Sequence, residues 1–455
     1  MEIKDKSTRL WSCFFRWDMP QVRAFHLTWF AFFLCFFAWY GIAPLMETVK
    51  KDLLLNEHQM GWIVIASVSM TIVARLIAGW LCDRFGPRLT YTGLLIFGSL
   101  PVIGIAFANS YETFLISRLL IGIIGASFVV TQYHTSLMFA PNVVGTANAT
   151  TAGWGNLGSG VSQVAMPVLL GLFVGALGFS ESLGWRAAMV VAGLVCIGMG
   201  VVYYFFTQDT PEGNFADLRR QGKLAANEKS KSAFWGVCRD GRVWALFLIY
   251  GACFGVELTM NNILARYFFN KFELTLLGAG MAAAAFGMMN LFARTLGGMM
   301  GDKFGKWWGL RGRTSWLFLA LFCEGIALMV FSQIVLLWLA IPSLVVFAMC
   351  VQMANGATFS VVPFINRKGL GSVAGIVGAG GNAGAVAAGF LFKGVAPTEW
   401  GTPMLVLGTI VLATSFTVFA VRFSPACEAD AKKELRKAAR EQEQLAVELE
   451  PALTA

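Results

Sequence analysis

The sequence predicts an all-α polytopic membrane protein, with twelve transmembrane helices arranged as two pseudo-symmetric bundles of six. Three observations carry that expectation. The 455 residues are 57% apolar and only 13% charged, with a mean hydropathy of +0.65, whereas a soluble domain carries roughly 45–50% apolar and about 25% charged residues. Twelve stretches are apolar for the ~20 residues that a helix needs to cross a bilayer. Two motifs recur at a nearly constant spacing, as a duplicated half would give.

The same composition excludes a soluble enzyme of this size, a disordered chain and a disulfide scaffold. The net charge of +9 comes from basic residues scattered through short loops, so no nucleic-acid partner is expected. Nine cysteines sit mainly in apolar stretches without a C-x-x-C pair, and three histidines make no cluster with them. No metal and no cofactor are therefore expected. The first apolar run begins near Ala24 and lacks a small-residue cleavage site, which reads as a span rather than a cleaved signal peptide.

In chain order, residues 1–23 form a polar N-terminal segment, and 24–207 form the first bundle with spans at 24–46, 60–81, 90–108, 113–137, 149–175 and 185–207. Residues 208–241 are a charged linker. The second bundle, 242–423, has spans at 242–265, 276–301, 314–333, 336–360, 370–391 and 402–423. A Glu/Lys/Arg/Ala-rich tail, 424–455, reads as a solvated helix. Placing both termini in the cytoplasm puts 26 lysines and arginines in cytoplasmic segments against 6 outside, with Arg75, Arg118 and Arg294 left inside spans. That bias fixes the expected orientation in a plasma (inner) membrane.

The duplication is explicit at the end of span 2. Arg75-x3-Gly79-x3-Asp83-Arg84-x-Gly86, continuing to Arg88, matches Arg294-x3-Gly298-x3-Asp302-Lys303-x-Gly305 in span 8 at an offset of 219 residues. Gly153-Trp154-Gly155-Asn156-Leu157-Gly158 in span 5 matches Ala379-Gly380-Gly381-Asn382-Ala383-Gly384 in span 11 at an offset of 226. Span 4 repeats in span 10, with Gly125-Ala-Ser-Phe128 beside Gly356-Ala-Thr-Phe359. In the loop motif, Gly79 is expected to let helices approach closely and Asp83 to accept from the basic loop or a helix N-terminus. Together with Arg84, Gly86, Arg88, Gly298, Asp302 and Gly305, these residues form a candidate conformational latch.

An arginine mid-membrane costs roughly 2.5–3.5 kcal/mol on insertion scales and is ordinarily explained by snorkelling or an ion pair. Two at repeat-equivalent positions, with Glu257 and Glu324 the only carboxylates well inside spans, point instead to a shared anion site. Two guanidinium forks suit a planar anion. Asn156 and Asn382 add amide donors beside glycines that clear the backbone around them. The G-x-G-x-x-G spacing at 153–158 formally matches a dinucleotide fingerprint, but no βαβ context surrounds it.

The loop motif resembles the signature between spans 2 and 3 of the major facilitator superfamily. The paired glycine-asparagine motifs and paired arginines are similar to the nitrate/nitrite porter family within it. The stretch Arg23-Ala-Phe-His-Leu-Thr-Trp-Phe and the span-7 stretch Gly255-Val-Glu257-Leu-Thr resemble its high-affinity nitrate transporter branch. The resemblance runs from span 1 to span 12. It implies that Arg75 and Arg294 bind nitrate or nitrite, that Asn156, Asn382, Gly153, Gly155, Gly380 and Gly381 line the site, and that Phe128 and Tyr250 sandwich the anion.

Import against an inside-negative potential costs about 2.3 kcal/mol per 100 mV for one anion, so symport needs at least two protons per nitrate to import net positive charge. Glu257 is the candidate coupling residue, and its presence favours proton symport over the nitrate/nitrite antiport of the exchanger branch. Glu324 reads as structural, and Arg118 as helix packing or coupling. The expected function is a secondary active transporter in the lipid bilayer, not an enzyme. The alternative of another class is a transport-inactive nitrate sensor.

Overall fold

The computed structural model describes residues 6–11, 13–140, 143–222, 236–366, 370–425 and 427–429, without the side chains at 83, 144, 145, 302, 306, 363 and 370–372. Twelve helical spans run through it: Pro20–Asp52, Glu57–Cys82, Pro87–Phe107, Tyr111–Met138, Thr146–Gly175, Glu181–Phe206, Gly241–Lys271, Leu276–Gly305, Trp307–Ser332, Leu337–Val361, Val373–Phe392 and Gly401–Ala420. They are spans 1 to 12 below, and each overlaps its apolar stretch, with ends that differ by at most seven residues. The protein is a multi-pass membrane protein.

Polar caps set where the helices begin. Asn56, Ser110, Ser180 and Thr275 each accept a backbone N–H three residues on, at the starts of spans 2, 4, 6 and 8. Asp240 caps span 7, and Pro20 and Pro87 occupy first-turn positions where no N–H is needed. One connection differs from expectation. The stretch 302–313, read as a loop, is helical and turns sharply at Trp308 and Gly309, the latter at φ 66°. Only glycine takes that backbone region at little cost.

Helix packing follows the small residues. Gly158 lies on the backbone of Phe33 and Gly155 on the ring of Phe32, drawing span 5 against span 1. Gly380 and Gly384 lie on the backbone of Phe247 and Gly251, drawing span 11 against span 7 in the same way. The two halves meet along spans 5 and 8, where Gly160 touches Gly287, and along spans 2 and 11, where Gly389 faces Ile65. Both pairs of contacts map onto one another when six is added to the span number. The duplication seen in the sequence is therefore a two-fold relation in space.

At the end carrying the loops 1–2 and 7–8, the halves are tied by polar contacts. Arg266 of span 7 pairs with Glu47 of span 1 and at 2.8 Å with Glu57 of span 2, which also accepts from Lys50. Arg118 of span 4 donates to the Trp39 carbonyl at 3.0 Å and the Asn262 amide oxygen at 3.1 Å. Gln163 of span 5 donates to the Asn261 carbonyl at 2.9 Å. At the opposite end, Lys6 of the N-terminal segment donates to the Ser136 carbonyl at 2.8 Å, and Phe14 packs edge-on to His26 and Trp154.

Candidate functional site

Near the middle of the span bundle, two arginines from opposite halves bracket the same pair of aromatic rings. Arg75 lies over Phe128 at 5.1 Å and over Phe254 at 5.3 Å. Arg294 lies over Phe128 at 6.0 Å and over Phe254 at 5.5 Å. Both arginines are 2% exposed. The rings hold one another in place: Tyr250 stacks on Phe254 at 5.0 Å, and Phe359 stands edge-on to both Tyr250 and Phe128.

The two guanidiniums are held differently. Arg75 donates from Nη1 to the Gly378 carbonyl at 2.8 Å, across the interface between the halves, and more weakly from Nε to the Gly125 carbonyl. Its Nη2 is buried without a protein partner, and no carboxylate pairs with it among the described residues. Arg294 donates from Nη2 to the Tyr250 hydroxyl at 2.9 Å and faces Glu257 at 3.5 Å. Glu257 also accepts from Asn290 at 3.0 Å and from Asn355 at 2.8 Å. Two cations and one carboxylate thus share the site. A buried charge left unpaired is expensive, so this arrangement has the chemistry to accept one negative charge.

The glycine-asparagine segments flank it in two-fold fashion. Gly153 meets the Asn290 carbonyl and the Cβ of Arg294, and Asn156 follows one turn later on span 5. Gly378 meets Arg75, and Asn382 follows one turn later on span 11, donating back to the Gly378 carbonyl at 3.4 Å. Asn156 is fully buried with neither amide atom partnered. Gly381 faces Tyr250 and Phe254. Gly155 and Gly380 face spans 1 and 7 rather than the arginines, because their side of the helix is the packing side.

Several residues of the site carried no mark in the sequence reading. Phe254 is four residues from Tyr250 and three from Glu257, so one stripe of span 7 faces both arginines. Asn290 is four before Arg294, and Asn355 four before Phe359. That i, i+4 spacing from an identified residue was the available signal. Phe359, the repeat partner of Phe128, meets it ring to ring at 5.7 Å.

At the candidate latch, the described residues add a carboxylate that the sequence reading did not single out. The side chains of Asp83 and Asp302 lie outside the described residues. The carboxylate seen to cap the loop is Asp209, just past span 6, which accepts the N–H groups of Arg88 at 2.8 Å and Phe215 at 2.9 Å. Gly86, at φ 90°, comes so near that a Cβ would sit 2.5 Å from this carboxyl. Burial pushes the Asp209 carboxyl above its ordinary range, against the pull of both N–H donors. Gly79 and Gly298 are not tightly packed: a methyl on either would meet nothing nearer than 3.9 Å, so the expected close helix approach is not made there. Arg84 lies over Trp80 and Phe85, and Arg88 over Tyr204. In the second half, Gly305 makes room for Arg313, which donates to the Ser360 carbonyl at 2.9 Å.

A family model described as Major Facilitator Superfamily matches residues 28–389. The chain is 38% identical over 405 residues to high affinity nitrate transporter 2.5 of Arabidopsis thaliana, covering 89% of this chain and 80% of that one. It is 37% identical to nitrate transporter 2.1 of Chlamydomonas reinhardtii, over 84% and 71% of the two chains. It is 32% identical to the nitrate/nitrite transporter NrtP of Nostoc punctiforme, over 92% and 96%. Among solved structures, a bacterial homologue of the human lysosomal transporter Spinster, inward-facing and occupied, superposes with a TM-score of 0.66 at 15% identity, covering 88% of this chain and 98% of that one. That last likeness is one of fold alone.

Proposed function

The chain belongs to the major facilitator superfamily and, within it, to the family of high-affinity nitrate and nitrate/nitrite transporters, and from that premise we propose that it imports nitrate, and also nitrite, as a proton-coupled symporter working by alternating access. The observation that carries this reading is the charge balance at the centre of the bundle. Arg75 and Arg294 flank Phe128 and Phe254 with one carboxylate between them, which leaves room for a single negative charge. Nitrate is planar and weakly hydrated, so guanidinium N–H groups and ring edges replace its water at modest cost. Arg75 Nη2 and the Asn156 amide supply donors that the protein itself leaves unused.

Coupling follows from competition. The Glu257 carboxylate and an incoming anion both draw on the Arg294 guanidinium. A proton on Glu257 removes the competitor, and Arg294 is then free to take the anion. Proton and anion thus enter together by favouring the same state. The contacts of Arg266, Arg118 and Gln163 close the outer end in this conformation, and their exchange for contacts at the inner end is the rocking step. Both termini face the cytoplasm, with the plasma (inner) membrane as the site of action, on the lysine and arginine bias of the loops.

The test is nitrate uptake into proteoliposomes, comparing an inward proton gradient with preloaded nitrite and no gradient. Accumulation driven by protons alone supports symport. Flux that requires internal nitrite makes the protein an exchanger and leaves Glu257 a structural partner of Arg294. Binding without flux makes it a sensor.

A further inference from the structure

A further buried arginine sits toward the end carrying the loops 1–2 and 7–8, the outer end on the orientation proposed above, and it has no acid of its own. Arg118 of span 4 is 2% exposed, and none of the ion pairs among the described residues includes it. With Asn262, Arg266 and Glu57 it lines a cavity of about 20 Å³, room for about one water molecule. The charges that line this cavity, with their ion-pair partners, do not cancel. Glu47 and Glu57 are taken by Arg266 and Lys50, and one positive charge is left over on Arg118.

The way its guanidinium is held decides what it can bind. Nη1 donates to the Trp39 carbonyl at 3.0 Å, within the first half, so that bond survives when the halves part. Nη2 donates at 3.1 Å to the amide oxygen of Asn262, on span 7 of the second half. Nε is buried without a partner. Nε and Nη2 share one edge of the guanidinium plane, and two parallel N–H groups on such an edge fit two oxygens of a planar anion. In this closed state an oxygen of the opposite half fills one of the two places. Asn262 is set for that task, since its amide N–H donates to the Leu258 carbonyl one turn back at 3.0 Å and leaves the oxygen for Arg118.

A path of contacts leads from here to the central site. Trp39, whose carbonyl takes Arg118, lays its indole against Gly125, where a Cβ would come within 2.5 Å of the ring. The Gly125 carbonyl accepts from Arg75 at 3.4 Å. Along span 4, Arg118 is two helical turns, about 10 Å, outward of Gly125. Tyr40, next to Trp39, adds a buried hydroxyl with no partner.

We propose that Arg118 is an outer docking site for the transported anion, a small planar oxyanion of one negative charge. This rests on the import reading and the orientation given above. With the halves parted at the outer end, Asn262 withdraws and the whole Nε–Nη2 edge is open to the anion. When the halves close, the Asn262 oxygen returns to Nη2 and displaces the anion, which passes inward to Arg75 and Arg294. The hydrogen bond between the halves is thus both clasp and ejector.

Nitrate uptake by right-side-out and by inside-out vesicles separates the KM at the outer face from the KM at the inner face. Arg118→Lys keeps the charge without the fork, and its outer KM should rise about tenfold or more, the worth of one charge-assisted hydrogen bond, with the inner KM as in the wild type. Asn262→Ala cuts the clasp but frees the edge, so its outer KM should stay at or below the wild-type value. Asn262→Asp sets a resident anion on that edge, and its outer KM should rise. An unchanged outer KM in Arg118→Lys overturns the proposal. So does the same rise in Arg118→Lys and Asn262→Ala, which would make Arg118 a clasp alone. Where Arg118→Lys does not fold, the two Asn262 variants decide, and an equal outer KM in both overturns the proposal. Wild-type vesicles that take up no nitrate at either face overturn the transport reading instead.

Discussion

The Glu257 carboxylate stands 3.5 Å from the Arg294 guanidinium, close enough to neutralise it but too long for a strong hydrogen bond. Asn290 and Asn355 hold the carboxylate by shorter bonds, so Arg294 can part from Glu257 without leaving that carboxylate bare. A loose ion pair with the acid independently secured is the arrangement expected of a site where an external anion displaces one partner from the other.

Glu257→Gln removes the competitor and the titratable group at once. Nitrate affinity at neutral pH should rise severalfold and lose most of its pH dependence, while accumulation driven by a proton gradient disappears and nitrate exchange persists. Uptake and exchange assays on the same proteoliposomes check this. Undiminished proton-driven accumulation would remove Glu257 from coupling.

Arg294→Lys and Arg75→Lys each retain the charge but not the planar fork. Each should weaken nitrate binding on the order of tenfold or more, the worth of one lost charged hydrogen bond at about 1.5–3 kcal/mol. Equilibrium binding, with thermal melting to show that the variants remain folded, is the measurement. Wild-type affinity in either lysine variant would argue against a bidentate anion site.

Arg266→Gln cuts the tie between span 7 and the Glu47–Glu57 pair, leaving two carboxylates close together with Lys50 and Asn270. On the orientation proposed above, this end faces outside, and its closed form should lose about 1–3 kcal/mol relative to the open one. A cysteine placed at Ile263, buried in this conformation, should then react severalfold faster with a membrane-impermeant thiol reagent added from outside. An unchanged rate means that the tie does not hold the closed state.

Asp209 gives a pH prediction with a definite sign. Burial holds its folded-state carboxyl above the ordinary value, so folding takes up a proton there. The stability this supplies is complete below the ordinary aspartate value and is lost as pH rises through the raised one. Melting curves of wild type and Asp209→Asn from about pH 3.5 to about 6 should diverge as the wild type declines and the variant stays flat. Parallel curves would show that Asp209 titrates normally.

What was legible in the sequence is what repeats. Arg75 and Arg294, and Asn156 and Asn382, stand out because two copies of one segment keep them at corresponding heights, and the structure brings their segments to one region. Phe254, Asn290 and Asn355 stayed hidden for a physical reason. A helix that is apolar on all sides has no polar face to say which of its residues look inward, so a phenylalanine among thirty-nine carries no mark of its own. Asp209 was hidden differently: it reaches its partners across the end of the bundle, on a segment whose sequence says only that it is polar. The glycines misled in part, since Gly155 and Gly380 have the composition of site residues and the position of packing residues.

The contact between Gly160 and Gly287 has a kinetic consequence. In the alternating-access cycle proposed above, the two halves roll on one another along spans 5 and 8, where backbone meets backbone at these glycines and neither carries a side chain to be moved aside. On that proposal the bearing adds little barrier of its own, and the turnover rate is set by the polar clasps, those of Arg266 with Glu47 and Glu57 among them, that must unfasten. Replacing either glycine with alanine inserts a cog where none existed, and the expected signature is a steeper temperature coefficient of transport with the substrate affinity left as it was.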